Sequence, residues 1–186
     1  MTEAAPAEGF DAPAAPTTAP EARPIRIRRA VPDDADLLSE VHVRTWQLAY
    51  AELIPQAVLD SLDIMARAAR WRTTLENPKA TGRTWVALEG DELIGFSSSG
   101  PARGEDPPWP LELWALYVHP RRHGSAAGAL LADAAIGDLP AFLWVLDGNA
   151  RAIRFYEKIG FRLDGATKVE RHGGVELHEL RMVRGI

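Results

Sequence analysis

The sequence predicts an α/β fold, in which a mixed central sheet is covered by helices on its faces. Two observations predict it. Apolar residues recur at strand spacing in some segments and at helix spacing in others, and these segments follow one another in the order βααβββαβαββ. The 186 residues are 46% hydrophobic and 25% charged, which is an average globular composition and enough chain to bury one core.

The beginning of the chain differs in composition from the rest. Residues 1–23 are dominated by Ala, Pro, Glu and Thr and contain almost no large apolar side chain apart from Phe10. Such a segment cannot bury enough surface to offset the entropy lost on ordering. We therefore expect a disordered tail over residues 1–23 and a single domain over residues 24–186.

The first elements of that domain are one strand and two helices. Residues 25–31 alternate apolar side chains with arginines, as a strand does. Residues 32–34, Pro-Asp-Asp, provide a helix start that leads to Tyr50. A second helix is predicted from Gln56 to Glu76, where Asn77-Pro78 stops it.

A hairpin and a central strand follow. Residues 84–89 and 92–99 are β-prone and flank Gly90-Asp91, a two-residue turn. Residues 100–110 are rich in proline and glycine and predict a loop. The apolar run 111–118 then predicts a central strand.

The last third of the chain predicts five further elements. A helix is expected over about 124–136, a strand over 142–146, and a helix over 149–159 that is closed by Gly160 at its C-terminal cap. Residues 161–183 alternate enough to form two more strands around a glycine-rich turn.

The net charge argues against a nucleic-acid partner. The formal net charge is −5, but residues 1–22 hold four acidic residues and no basic one, so the remainder carries only −1. A nearly neutral body has no broad positive field for a polyphosphate chain. We expect no nucleic-acid function.

The absence of cysteine restricts both chemistry and location. It excludes disulfides, thiolate metal sites and cysteine nucleophiles, and it fits a reducing cytosol. No apolar stretch has the length of a membrane-spanning helix, and the N-terminus lacks the features of a signal peptide. We expect a cytoplasmic protein with no membrane association.

The most informative segment is a basic turn between a strand and a helix. Residues 117–126 read Tyr-Val-His-Pro-Arg-Arg-His-Gly-Ser-Ala. Small residues let backbone N–H groups approach an anion, the helix start adds partial positive charge, and the arginines add full charges. This pattern is typical of a phosphate cradle, although strand-to-helix turns also contain glycine simply to change direction.

A companion segment lies one strand later, over residues 149–161. The turn resembles the Gln/Arg-x-x-Gly-x-Gly/Ala motif of the GNAT superfamily of N-acetyltransferases, as Arg121-x-x-Gly124-x-Ala126. The later segment resembles that family's Asn-x-x-Ala-x-x-Phe-Tyr-x-x-x-Gly-Phe motif, and both occur in the family's order and spacing. The likeness extends over residues 24–186, so it implies the GNAT fold, whose sheet is mostly antiparallel with splayed central strands.

The resemblance implies acetyl-CoA as the cofactor. In that family the pantetheine arm of CoA lies between the two diverging central strands, as if it were another strand. The cofactor-binding residues implied are Leu116, Tyr117, Val118, Arg121, Arg122, His123, Gly124, Ser125, Ala126, Asn149, Ala152, Phe155 and Lys158. The N–H groups near Leu116 and Val118 are expected to hold the thioester carbonyl oxygen.

Two catalytic residues are expected from the same resemblance. Transfer needs a neutral amine, and Glu112 matches a family glutamate that deprotonates the amine through water. The alternative is that Glu112 pairs with a neighbouring arginine. Tyr156 matches the family tyrosine that protonates the leaving CoA thiolate, and its alternative role is core packing beside Phe155.

The remaining aromatic and histidine residues give weaker indications. Trp46 and Tyr50 are predicted to line an acceptor pocket together with the 100–110 loop, although aromatic residues at helix spacing are more often core. The five histidines show no zinc-like spacing, so we predict no metal.

The sequence therefore predicts an N-acetyltransferase that moves an acetyl group from acetyl-CoA to a primary amine by direct attack in a ternary complex. The rival interpretation is a non-catalytic acyl-CoA-binding regulatory module. A small molecule, a peptide N-terminus and a lysine all stay open as acceptors, and the edge strands are compatible with a homodimer.

Overall fold

The computed structural model describes residues 23–77, 80–172 and 174–185. Within them the strands are β1 (Ile25–Arg29), β2 (Arg83–Glu89), β3 (Glu92–Pro101), β4 (Leu111–Val118), β5 (Ala141–Leu146), β6 (Arg162–His172) and β7 (Val175–Arg184). The helices are α1 (Ala35–Ala49), α2 (Gln56–Asp60), α3 (Ile64–Glu76), α4 (Ala127–Ile136) and α5 (Ala150–Lys158). The tail predicted for residues 1–23 lies outside the described residues, apart from Arg23.

The strands form one sheet in the order β1-β2-β3-β4-β5-β7-β6. The pairing of β4 with β5 is parallel, and the other pairings are antiparallel. The predicted mixed, mostly antiparallel sheet is therefore confirmed. No helix in the described ranges combines the length and the apolar character needed to cross a membrane.

The helix predicted over residues 56–76 is divided in two. Helix α2 ends at Asp60, and α3 begins at Ile64 after an N-cap at Asp63. The Asp63 carboxylate accepts hydrogen bonds from the N–H groups of Met65 (2.8 Å) and Ala66 (3.1 Å). Because a capping aspartate satisfies the free N–H groups at a helix start, it favours a new helix over the continuation of the first.

The two faces of the sheet carry different helices. On one face, Leu38 and Val41 of α1 pack against Val86 and Phe96 of the sheet. On the other face, α4 packs against Ala87, the neighbour of Val86 in β2. Because successive side chains of a strand point to opposite faces of the sheet, the core consists of two layers, one on each face.

The central strands β4 and β5 diverge. Within the described residues they are paired at a single position, Glu112 with Phe142. A bulge at Trp114, next to this pair, adds one residue to β4 opposite β3. Since bulges bend and twist a strand, the bulge turns the rest of β4 away from β5. The resulting gap, predicted from the family resemblance, is the feature that creates the site.

Candidate active site

A cavity of about 410 Å³ occupies the gap between β4 and β5. Its walls come from both faces of the sheet: Phe155 and Tyr156 from α5 on one face, and Trp46 and Tyr50 from α1 on the other. All the residues predicted to bind the cofactor line this cavity except Arg121 and Ala126. Sequence motifs that are far apart in the chain thus meet in one place.

The turn before α4 forms one end of the cavity. Gly124 has φ +84°, in the left-handed region where glycine is favoured, and a Cβ there would meet open space. Helix α4 consequently begins at Ala127 rather than near Gly124. The structure gives no hydrogen-bond partner, within the described ranges, to the N–H groups of Gly124 and Ala126. These two N–H groups therefore indicate an anion-binding site at the start of α4.

The other amides of the turn are already used. The N–H groups of Arg122, His123 and Ser125 donate to backbone carbonyls of the same turn, at 2.8, 3.2 and 3.2 Å. The turn therefore offers fewer free amides than residues 121–126 could supply in sequence. Its shape is fixed by its own hydrogen bonds before any ligand binds.

The His123 ring joins the turn to the end of β4 and to α5. Its Nε2 lies 2.9 Å from the Val118 carbonyl, and its Nδ1 contacts Arg151. Burial, followed by the charge of Arg151, lowers the pKa of His123 below its ordinary value of 6.5. Since arginine only donates and a carbonyl only accepts, the neutral ring with its proton on Nε2 satisfies both contacts.

The cationic side chains are not equally available. Arg122 is paired with Glu89 and lies 3.9 Å from Glu92, so much of its charge is matched. Arg151, which contacts His123, lines the same end of the cavity as the turn, and Lys158 at the end of α5 also lines the cavity. This end therefore has a positive electrostatic character, to which Arg151 contributes although the sequence did not single it out.

Helix α5 is anchored at its start and packed closely along its length. The Asn149 side chain accepts the Ala152 N–H at 3.1 Å and so caps the helix. An added Cβ at Gly128 of α4 would lie 3.0 Å from the Phe155 ring. Asn149 and Ala152 thus fix the start of α5. Phe155 packs against Gly128 and so sets the close approach of α5 to α4.

Tyr156 lies at the centre of the cavity wall and is only 8% exposed. Burial, and then the neighbouring Tyr117, raises the pKa of Tyr156 well above its ordinary value of 10.0. The phenol is therefore protonated at neutral pH and can donate a proton or a hydrogen bond. Burial thus moves the pKa of this phenol away from that of a thiol.

Glu112 is placed differently from the sequence expectation. It is 2% exposed and lies outside the cavity lining. Its oxygens accept hydrogen bonds from the Arg103 guanidinium at 2.7 and 3.1 Å and from the Arg103 backbone N–H at 2.9 Å. The pairing with an arginine, which was the alternative for this residue, is the arrangement present. The role of Glu112 as a base stays a prediction.

The aromatic end of the cavity is formed by α1 and β4. The Trp46 indole N–H donates to the Tyr117 hydroxyl at 2.9 Å, and the Tyr50 ring meets Trp46 edge-on with centroids 5.2 Å apart. Burial raises the pKa of both Tyr50 and Tyr117, so both phenols are neutral at physiological pH. Trp46 and Tyr50, the predicted acceptor residues, both line the cavity.

Thr45, Trp144 and Glu179 line the cavity and were missed by the sequence reasoning. Trp114, an aromatic residue of β4, also borders the cavity. The Thr45 hydroxyl and the Trp114 indole N–H are buried without a hydrogen-bond partner in the part of the chain that the structure describes. Unsatisfied buried polar groups are costly, so these two favour a polar ligand. No sequence motif marks Glu179, because it reaches the cavity only through the pairing of β7 with β5.

The described residues contain no group of three His, Asp or Glu side chains placed to hold a metal ion. The prediction that no metal is needed stays a prediction.

Known proteins are similar to this chain in sequence. The sequence model of the Acetyltransferase (GNAT) family matches residues 44–161. An uncharacterized N-acetyltransferase of Mycobacterium tuberculosis H37Rv is 34% identical over 158 residues, which cover 81% of this chain and 97% of that protein.

Solved structures agree in fold. PaiA N-acetyltransferase from Thermoplasma acidophilum, in complex with coenzyme A, gives a TM-score of 0.68 at 21% identity over 88% of this chain and 99% of that one. The yncA protein of Salmonella typhimurium with its cofactor acetyl-CoA gives 0.61 at 21% identity, over 86% and 92%. The family model spans more than half of the chain. The chain belongs to the acetyltransferase (GNAT) family.

Proposed function

We propose that the protein transfers an acetyl group from acetyl-CoA to a primary amine by direct attack in a ternary complex. The observation that carries this proposal is a cavity through the sheet with two unlike ends. One end has free amides and cationic side chains, and the other has neutral phenols and indoles. A polyphosphate cofactor and an amine acceptor require this kind of asymmetry.

The residues present fit coenzyme A. Gly124 and Ala126 can offer N–H groups to its diphosphate at the start of α4, and Arg151 and Lys158 add positive charge there. Beyond Glu112, β4 has no β5 partner, so its backbone amides can bond to the pantetheine arm. When bound, acetyl-CoA supplies the activated thioester.

We propose that Tyr156 donates its phenolic proton to the departing CoA sulfur. The phenol is protonated at neutral pH and donates a hydrogen bond, and then the proton, to the sulfur as negative charge develops there; the burial that raises its pKa makes it a weaker acid in the unliganded protein. The N–H groups near Leu116 and Val118 are proposed to hold the thioester carbonyl oxygen. His123 occupies the Val118 carbonyl, which leaves the N–H groups of this stretch as the available polar contacts.

We propose a positioning role for Glu112. Its carboxylate holds the Arg103 backbone and guanidinium, and the guanidinium in turn lies over the Trp114 ring, 5.1 Å from its centroid. Trp114 borders the cavity at the bulge of β4. Glu112 therefore fixes the loop that follows β3 and, through it, one wall of the site. The acceptor's proton then leaves through solvent at the cavity mouth.

A glycine substitution tests the cofactor site. Gly124→Ala forces a side chain into a left-handed conformation and disturbs the amides at the start of α4, so we expect the Kd for CoA, measured by calorimetry, to rise about tenfold or more. Gly165→Ala is the matched control, since Gly165 has φ +88° and also open space around a Cβ. Equal effects of the two variants would contradict the assignment of the turn.

Turnover separates the enzyme from a binding module. CoA release is measured with acetyl-CoA and a panel of primary amines, and we expect Tyr156→Phe to lower kcat about tenfold or more while leaving the Kd for CoA nearly unchanged. CoA binding without turnover on any amine, together with no effect of Tyr156→Phe, would support the non-catalytic module instead.

A further inference from the structure

One carboxylate borders the cavity among the described residues, and it is that of Glu179. Its side chain is 21% exposed. Glu179 lies two residues after Leu177 in β7 and is paired with Leu146 of β5, so all three project from the same face of the sheet. Leu146 and Leu177 pack with Trp46 and Tyr50, which places Glu179 at the aromatic end of the site.

An alkylammonium group already contacts Glu179 in the structure. The Nζ of Lys168, the cross-strand partner of Glu179 in β6, lies 3.0 Å from the Glu179 Oε2. The same Nζ lies 4.8 Å from the centroid of the Trp144 ring. A carboxylate beside an aromatic face is a favourable site for an ammonium ion, because charge attraction adds to the cation–π interaction.

Lys168 has a second anion to which it can turn. Its Nζ lies 2.7 Å from Glu170 Oε1, and the Glu170 side chain is 60% exposed and is not part of the cavity wall. The Glu179 Oε2 is buried, so Lys168 can leave it only where another cation takes its place. An ammonium ion that arrives through the cavity is such a cation, and Lys168 then keeps Glu170.

The other cation at the Trp144 ring in the described part of the chain is already paired. Arg181, which lies 5.7 Å from the Trp144 centroid, is paired with Asp164 at 2.8 Å. The nearby phenols of Tyr50 and Tyr117 are neutral. When Lys168 turns away, the Glu179 carboxylate is therefore open to an incoming ammonium ion beside an aromatic ring.

We propose that Glu179 and Trp144 bind a cationic group of the acceptor, and that the acceptor is an alkylamine with a second ammonium besides the amine that is acetylated. Tyr156 reaches the cavity from α5 on one face of the sheet and Glu179 reaches it from the other, so we assign the reacting amine to the Tyr156 side and the second ammonium to Glu179. This inference rests on the proposed acetyl transfer and names the substrate class.

Paired substrates and paired variants test the proposal. Steady-state rates are measured at saturating acetyl-CoA with α,ω-diaminoalkanes and with aminoalkanols of the same chain length. We expect the diamines to have the lower KM, by about tenfold. Glu179→Gln should abolish that difference by raising the diamine KM about tenfold, while the aminoalkanol KM stays unchanged.

The variant Lys168→Met should act in the opposite direction. Methionine keeps an apolar chain over Trp144 but removes the competing ammonium, so we expect the diamine KM to fall about two- to threefold. Glu176→Gln is the control, since Glu176 lies on the same strand and pairs with Arg171 at the far end of the hairpin. It should change neither KM.

The outcomes are separable. A structural ion pair would make Glu179→Gln and Lys168→Met shift the KM in the same direction for both substrate classes, and that result would overturn the proposal. Turnover without a preference for diamines would overturn it as well, while leaving acetyl transfer intact.

Absence of turnover on every amine would count against the proposed function alone. Calorimetric titration with the diamine then tests the site directly. Equal affinity of the unmodified protein and of Glu179→Gln for the diamine would overturn the proposal.

Discussion

Asp34 shows how one side chain secures the start of the domain. It is 5% exposed, and its oxygens accept hydrogen bonds from the Arg28 guanidinium at 2.7 and 2.8 Å and from the Val31 N–H at 2.8 Å. These three hydrogen bonds connect β1 directly to the turn that starts α1, and the two from Arg28 are strengthened by charge. The hydrogen bond from Arg28 is the main reason that the pKa of Asp34 lies below its ordinary value of 3.8.

Replacing Asp34 should therefore destabilise the fold. We expect Asp34→Asn to lower the free energy of unfolding by about 1–3 kcal/mol, measured by urea denaturation at pH 7. Because the folded-state pKa is depressed, this contribution is present above pH 3.8 and is lost as the pH falls through the folded value. Asp36→Asn is the matched control, since Asp36 is 67% exposed in its pair with Arg72. A similar loss in both variants would count against this account.

At the scale of elements, the Glu112–Arg103 pair joins β4 to the loop after β3. Positioning and base catalysis predict different kinetics. We expect Arg103→Ala and Glu112→Gln to lower kcat by similar factors of less than about tenfold, because either variant releases the same loop. A loss of about a hundredfold or more in Glu112→Gln alone, with a changed pH–rate profile, would identify Glu112 as the base instead. Assays of CoA release at a series of pH values measure both kcat and the pH–rate profile.

Most of the elements could be predicted from local pattern. Two glycines mark turns in the sequence and predict the elements beside them. Gly90, with φ +64°, lies in the turn of the β2–β3 hairpin, and Gly160, with φ +91°, closes α5. The break between α2 and α3 could not be predicted, because apolar spacing continues across it and the cap at Asp63 decides against it. Sequence patterns report favourable spacing, but a single capping side chain can override them.

The candidate site was predictable only in part. The α4 turn and α5 carry motifs, so their residues could be assigned before the structure. Glu179 and Trp144 carry none, since each is one residue in an alternating strand. They reach the cavity only because β7 pairs with β5 and the register aligns Glu179 with Leu146. Register is a tertiary property, and it is not visible in one strand alone.

For the whole molecule, the three tyrosines link stability to alkaline pH. Burial raises the pKa of Tyr50, Tyr117 and Tyr156, and these are all the tyrosines of the chain. In the unfolded chain they ionise near pH 10, whereas the folded protein keeps their protons. A raised folded pKa gives stability that is present below pH 10 and is lost as the pH rises toward the folded values.

We expect the free energy of unfolding to fall above about pH 10, by about 1.4 kcal/mol per pH unit for each tyrosine. Urea unfolding at stepped pH, together with the ultraviolet absorbance of tyrosinate in the folded protein, measures both sides of this linkage. In Tyr156→Phe the free energy of unfolding should fall less steeply with pH, by the contribution of one tyrosine. Ionisation of all three phenols near pH 10 in the folded protein is the result that would contradict the expectation.

The single paired position between β4 and β5 has a mechanical consequence. It divides the sheet into two halves, β1–β4 and β5–β7, that have almost no backbone ladder between them. Helix α4 bridges the halves through Leu131 and Ile136, so side-chain packing supplies most of the stiffness. Under the proposed function, bound acetyl-CoA would connect the two halves of the sheet and stabilise them against each other. The rigidity of the enzyme in the cell would then depend on the concentration of acetyl-CoA.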